Sequence, residues 1–400
     1  MALCKILMTE QEIASYNRAN RALTATGITA LDTAPSELEL AEVLRHQETL
    51  PYPREPRFDG CGHFVGECFY CQLAEQMNWS QAASRITAGF GIMSEQELAR
   101  TFPTELPSYR ERWKPDLDRF NVTLLKLGEP VLIWQKSRDG QWFFVQNRHT
   151  WGWVRAQCVA CTEEEAWRQW AGEREFVQCL CSREIIAYQS QGQDCQQLLL
   201  MGTHLTCYDY CHAGYIALLP RRTAEGKLRI EQILLPKDER FCLGNLPFGQ
   251  SWVIEQGLKC LGEPYGWGGE NGYRDCTSLV DDVFGVFGFT LARNSSAQRK
   301  MAGVQPIPAG LTAGQREELV DTLPVGTVLY LPGHAMIYLG RRQERQDILH
   351  SVYQMGLPMN QELIVYRARQ VMRGYLRQLR ANGKTFLESL TDYWCPWQKK

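Results

Sequence analysis

Residues 263–280 read Glu-Pro-Tyr-Gly-Trp-Gly-Gly-Glu-Asn-Gly-Tyr-Arg-Asp-Cys-Thr-Ser-Leu-Val. A glycine-rich, aromatic loop runs into Asp275-Cys276-Thr277-Ser278. Leu279, Val280, Val283, Phe284, Val286 and Phe287 then recur at helical spacing. Asp275 has the character of an N-cap, so Cys276 is expected in the first turn of a buried helix. A thiol there feels the positive end of the helix dipole, which lowers its pKa and favours the nucleophilic thiolate. The chain has fifteen cysteines, and free cysteines are usually small core residues. Cys276 stands apart because it follows Gly266-Trp267-Gly268-Gly269 and opens an apolar helix.

A cysteine nucleophile needs a base, and the base needs an orienter. Two of the seven histidines follow Cys276, His334 and His350. The run from His334 to Gly340 alternates as a strand does. His334, Met336 and Tyr338 fall on one face, and Ala335, Ile337 and Leu339 on the other. His350 ends the apolar pair Ile348-Leu349 on the next strand, within reach of the distal nitrogen of His334. Such a bond fixes the tautomer that leaves the other nitrogen free for the thiol proton. A single strand histidine is more often structural; the trio points to thiol chemistry.

The rest of the composition bounds the answer. A net charge of -2 gives no argument for nucleic acid or an anionic membrane surface. No apolar run reaches the roughly eighteen residues of a membrane helix. Apolar and charged fractions of 44% and 22% are ordinary for a globular protein. Twelve Trp and sixteen Tyr suit β-barrels and sugar or peptide clefts, and equally ordinary cores. The length fits roughly two to four domains. Met1 to Met8 lacks the charged, apolar, small-residue order of a signal peptide. The chain as written is therefore expected in the cytoplasm, with reduced cysteines. A longer natural N-terminus makes the periplasm or cell envelope the expectation instead.

The sequence predicts an α+β multidomain chain. Residues 1–88 read as mostly helical, with Gln11–Ala14 and Glu37–Leu44 at helical spacing and Pro51, Pro53 and Pro56 breaking the pattern. Cys61-Gly62-His63 and Cys68-Phe69-Tyr70-Cys71 resemble half of a zinc site, but the spacing is cramped and no second half follows. Reduced thiols in a small helical cap are expected, with no metal and no cofactor. Over 89–160, short strands at Val122–Leu127, Val131–Gln135, Trp142–Gln146 and Trp151–Arg155 suggest a small barrel, with a hairpin at Asp139-Gly140. Glu163–Glu175 reads as a charged linker helix. Residues 176–249 repeat the strand pattern as a second barrel, and 250–400 turn to α+β. Residues 367–400, rich in Arg and Lys, read as a solvated helix and tail.

With these residues placed, the chain resembles the NlpC-type cysteine peptidases, a bacterial papain-like superfamily. The marks are Pro264-Tyr265-Gly266-Trp267-Gly268-Gly269, Asp275-Cys276-Thr277, Gly333-His334 through Tyr338 to Gly340, and His350. Upstream, Arg100–Thr104, Gly128–Val131 and Gly152–Val154 are similar to the first SH3-like barrel of the multidomain branch. Leu219-Pro220-Arg221 resembles the second, and the N-terminal helices resemble that branch's clip. The resemblance implies an N-terminal helical clip, two SH3-like barrels and a papain-like peptidase domain. It implies a γ-D-glutamyl-L-diamino-acid endopeptidase acting on murein stem peptides. Cys276 is then the nucleophile, His334 the base and His350 the orienter, with Tyr265 and the Cys276 N–H at the oxyanion. Asp275, Thr277 and Ser295 line the cleft, Asp275 pairing with a free substrate amine. Trp267 forms a wall, and Trp151 closes the barrel end. Thr277 departs from the commoner Ser. A thiol amidase or acyltransferase of the same superfamily is the nearest alternative, and an inert wall-binding protein the other.

Overall fold

The computed structural model describes residues 5–47, 55–113, 117–172, 174–360 and 362–398. Pro51, Pro53 and the first four residues of the opening segment lie outside these. Helix Glu10–Arg21 starts at a capping box between Thr9 and Glu12. It packs across the chain onto the C-terminal domain, where Asn17 Nδ2 donates to the Gly288 carbonyl at 2.8 Å and Trp394 Nε1 donates to Tyr16 Oη at 2.8 Å. The expected helix at Glu37–Leu44 is split. Glu37–Glu39 is a strand paired with Arg85–Thr87, and only Leu40–Leu44 is helical. A longer helix, Glu67–Gln76, follows.

The first β-rich region is a seven-stranded antiparallel sheet. Its order is Asn121–Leu125, Glu97–Arg100, Trp151–Arg155, Trp142–Gln146, Pro130–Lys136, Gly89–Met93 and Val159–Thr162. The expected strands and the Asp139-Gly140 hairpin are present, with Gly140 at positive φ. The sheet is not a closed barrel: among the described residues no ladder joins its two outer strands. Neighbours cover those edges instead. Strand Asn121–Leu125 lies against the Trp267–Gly272 loop, and the Cys161 N–H donates to the Gly226 carbonyl at 2.9 Å. An edge covered in this way needs no closure. Helix Glu164–Ala171 links the two regions. It is more than a charged connector, since Trp167 and Trp170 are buried beneath it.

The second region is an open five-stranded sheet. Its order is Leu228–Leu235, Tyr215–Arg222, His204–Tyr210, Phe176–Cys179 and Phe241–Leu243, with a separate hairpin of Arg183–Ser190 and Gln193–Leu200. Among the described residues no ladder joins its outer strands either, so the second barrel expectation is also corrected to an open sheet.

The C-terminal domain carries a six-stranded sheet in the order Val304–Pro306, Asp392–Trp394, Val328–Leu331, His334–Arg342, Arg345–Val352 and Gln370–Tyr375. Helices Gln250–Leu258 and Cys276–Gly285 pack on one face, where Leu279, Val283, Phe284, Ile337 and Leu349 form a common core. Met336 and Tyr338 belong to the core on the opposite face. The alternation read along the His334 strand is thus real, and both of its faces are buried. Residues 367–398 are not a solvated tail. They supply two strands of the sheet and a short helix, Phe386–Ser389, with Trp394 only 1% exposed. The many arginines hide this in the sequence because they lie at sheet edges in ion pairs, as Arg373 does with Asp347 at 2.7 Å. Among the described residues, no helix is long and apolar enough to cross a membrane.

Candidate active site

The helix that Cys276 opens is fixed at its start by Asp275. The Asp275 carboxylate accepts from the N–H groups of Thr277 at 3.1 Å and Ser278 at 2.8 Å, and the Ser278 hydroxyl accepts from the Asp275 N–H at 2.9 Å. From below, Ser351 Oγ donates to the Arg274 carbonyl at 2.6 Å. The loop ahead needs its glycines. Gly268 and Gly269 have φ of 67° and 97°, and a Cβ on Gly269 would stand 2.4 Å from that of Leu124. The Gly268 N–H donates to Asp275 Oδ2 at 3.2 Å.

His334 and His350 lie on adjacent strands of the facing sheet. His334 Nε2 and His350 Nδ1 are 3.0 Å apart, the bond expected from the sequence. It occupies the Nε2 of His334 and leaves Nδ1 free for a thiol proton. The backbone N–H of Ala335, the residue after His334, points to the Cys276 sulfur. Phe386 lies edge-on to His350 at 5.2 Å and tilted on His334 at 5.8 Å. Gly374 leaves room for the pair, since a Cβ there would stand 3.0 Å from His350 Nε2. Burial holds both rings neutral, pulling His334 down to about 3 and His350 well below its usual range.

The thiol corrects one expectation. Burial, followed by the negative charge of Asp275, pushes Cys276 up to about 12, against the pull of the Ala335 and Thr277 N–H groups. Desolvation therefore outweighs the helix terminus, and the resting pair is neutral thiol and neutral imidazole. Tyr265 keeps its proton for the same reason: burial first, then the proximity of Cys276, raises its pKa. Its ring meets that of Tyr353 at 5.6 Å.

The other expected residues separate into those the fold gathers and those it does not. Asp275 and Thr277 sit in the first turn, yet Asp275 is closed to a substrate amine. It is 4% exposed and paired with Arg293 Nη2 at 2.7 Å, in addition to its capping bonds. Arg293 Nη1 also bonds Thr277 Oγ1 at 3.0 Å, and Arg293 Nε donates to Thr123 of the first sheet. Trp267 is half-buried, with the Arg119 guanidinium 5.5 Å over its ring. Ser295 begins a short helix capped by Asn294 and is half-buried. Trp151 packs in the first region, stacked on His46 at 4.2 Å and on Trp134 at 5.7 Å. Its ring is also tilted on Phe144 at 6.0 Å.

Sequence reasoning missed Arg293, Phe386 and Gly374. Only Arg293 left a signal, as a lone cation just beyond the apolar helix. It also missed the buried Arg274, which holds Glu263 and Asp282 at 2.7 Å each. Cys61 and His63 group with Asp59, their ligand atoms within 4.8 Å of one another. Cys68 and Cys71 are exposed on the next helix and stand outside that group. Asp59 already accepts from the N–H groups of Cys61 and His63 at 2.8 Å each.

A thiol at a helix start, on the helix that packs against the sheet carrying a bonded histidine pair, is an arrangement suited to thiol chemistry. Comparison with known proteins matches two segments of the chain. The NlpC/P60 family model matches residues 262–363, and an SH3 domain of SH3b1 type matches residues 114–155. Residues 262–363 thus form an NlpC/P60-type domain, preceded by an SH3-type domain at residues 114–155. No curated protein matches it. Among solved structures it is similar to an NlpC/P60 endopeptidase from Photobacterium damselae subsp. piscicida. That match has 16% identity and a TM-score of 0.79, covering 99% of this chain and 95% of that one. An NlpC/P60 family protein from Bacillus cereus ATCC 10987 matches at 17% identity and a TM-score of 0.55, over 77% of this chain and all of the other. At these identities the likeness is one of fold.

Proposed function

We propose that the chain hydrolyses the γ-D-glutamyl to L-diamino-acid bond of peptidoglycan stem peptides through an acyl-enzyme on Cys276. The observation that carries this reading is the His334–His350 bond of 3.0 Å beside a thiol reached by the Ala335 N–H. His334 Nδ1 takes the thiol proton as the sulfur attacks the γ-carbonyl. The tetrahedral oxyanion is met by the Cys276 N–H and the Tyr265 hydroxyl. As the C–N bond breaks, His334 returns the proton to the leaving amine. Water then gives a proton to His334 and cleaves the thioester, which restores thiol and free acid. His350 orients His334 throughout.

Thr277, Trp267 and Ser295 line the cleft in this reading. Asp275 instead holds the helix start and Arg293, and the stem end is bound without an ammonium contact. The test is mass spectrometry of L-Ala-γ-D-Glu-diaminopimelate and its N-acetylated form after incubation with the protein. Both should release diaminopimelate at comparable rates, and Cys276→Ala should release none. Cleavage by Cys276→Ala at the wild-type rate sinks the nucleophile assignment. Cleavage of the free-amine peptide alone returns the amine-reading role to Asp275.

A further inference from the structure

A cavity of about 390 Å³ lies where the N-terminal segment, both β-rich regions and the linker helix meet. None of Cys276, His334 and His350 lines it. Leu127, Trp170 and Phe176 give it an apolar wall.

Its polar groups are unbalanced. Lys126 is committed to Asp282 at 2.6 Å and to the Met201 carbonyl at 2.7 Å, and Glu129 accepts from the Asn147 amide at 2.8 Å. Asp32 and Arg21 stand at the exposed mouth. Arg174 lies 4.5 Å over the Trp170 ring. Burial pulls it down to about 10, and among the described residues it has no acid partner. Arg148 donates Nε to His149 at 2.9 Å, and the acid its field reaches is Asp281, behind it on the Cys276 helix.

His204 completes the set. It stacks on Phe176 at 4.2 Å, and its Nε2 is sealed from solvent with no hydrogen-bond partner. Burial and the charges of Arg148, Lys126 and Arg174 hold the ring neutral, so Nε2 is able to serve as an N–H donor. Two arginines and a neutral histidine therefore line one space beside an apolar wall. A buried donor without an acceptor is costly to leave unmade, and guanidinium groups match carboxylate and phosphate oxygens.

We propose that this junction cavity binds a small organic oxyanion, a carboxylate or a phosphate. Arg174, Arg148 and His204 hold its charged end, and Trp170 and Leu127 pack against its apolar part. The site is independent of the peptidase reading, so Cys276→Ala protein should bind as wild type does. Isothermal titration of the full chain with phenyl phosphate, benzoate and neutral benzyl alcohol tests it. At least one anion should bind with one-to-one stoichiometry, and the preferred one assigns the headgroup. Benzyl alcohol should not bind. Arg174→Gln should weaken the anion roughly tenfold or more, with the melting temperature checked for folding. His204→Phe, which removes the donor but keeps the ring, should weaken it less. Equal binding of benzyl alcohol, unchanged binding by both variants, or no binding of either anion at millimolar concentration would each overturn the proposal. If Arg174→Gln does not fold, the His204→Phe titration alone decides.

Discussion

The two β-rich regions meet the peptidase domain by different means. The first is set by a close approach: strand Asn121–Leu125 lies on Gly268 and Gly269, where no side chain fits, with Lys126 on Asp282 and Thr123 on Arg293 beside it. The second touches it with charge. Arg274 donates to the Ser182 carbonyl at 3.0 Å and to its hydroxyl at 3.2 Å, and Ser182 bonds Glu263. Arg183 reaches the Asn271 carbonyl at 2.9 Å. A backbone contact sets shape and tolerates no added atom. A buried ionic network tolerates small shifts and cannot lose a member. The first contact therefore governs the cleft, and the second governs whether the domains hold together.

The largest effect should come from breaking the second contact. Arg274→Met leaves Glu263 buried without its cation and Asp282 with Lys126 alone, and should cost about 3–5 kcal/mol in urea unfolding. Unchanged stability would show that the network adds nothing.

Acid should act next. His204 and His334, ordinarily near 6.5, are held near 3 by burial, and His149 and His350 are also lowered. The unfolded chain takes these protons first. Their contribution is fully present above pH 6.5 and is lost as the pH falls toward 3. Asp281, raised to about 6, runs the other way: it favours the fold in acid, and its share is lost as the pH rises through 6. Four imidazoles outweigh one carboxyl. Stability should fall by about 2 kcal/mol or more between neutrality and about pH 4.5. A flat profile there would mean that these rings titrate normally.

Breaking the first contact should be milder for stability and sharper for catalysis. Gly269→Val forces a β-branched residue to φ 97° against Leu124 and should cost about 1–3 kcal/mol. Peptide release should drop roughly a hundredfold as the loop before Cys276 shifts. Loss of stability without loss of rate would separate the contact from the cleft.

The smallest effect is one of order, not stability. Cys181, at the edge of the second region, is lowered to about 7, first by its hydrogen bond with Cys179, whereas Cys276 is raised to about 12. Iodoacetamide at about pH 7.5 should therefore label Cys181 well before Cys276, as read by peptide mass mapping. The reverse order would reveal a preformed thiolate at Cys276.

Much of the site was legible because its parts obey local rules. An N-cap before an apolar period placed Cys276, and strict alternation placed His334 with Met336 and Tyr338 on one face. What escaped depends on distance. Gly374, Phe386 and Arg293 act on the site from strands and turns far along the chain, and no local period marks them. The fate of Asp275 was hidden for the same reason, since its partner Arg293 follows only after the helix has ended. The open sheets were misread as barrels because strand spacing is alike in both. Edge coverage comes from other regions, as Gly268 and Gly226 show. The C-terminal strands were missed because they are short and flanked by five arginines over 367–380, which mask the apolar residues that fix Val371 and Trp394 in the core.

Strand Asp392–Trp394 lies inside its sheet, between Val304–Pro306 and Val328–Leu331, and Phe386 seals the histidine pair. Both are translated after every catalytic side chain. On the ribosome, the β-rich regions are free to fold first, while the strand beside the His334 strand still lacks its neighbour. A nascent chain that stops before Phe386 thus carries Cys276 without the ring that covers the histidine pair and without the strand that completes the sheet.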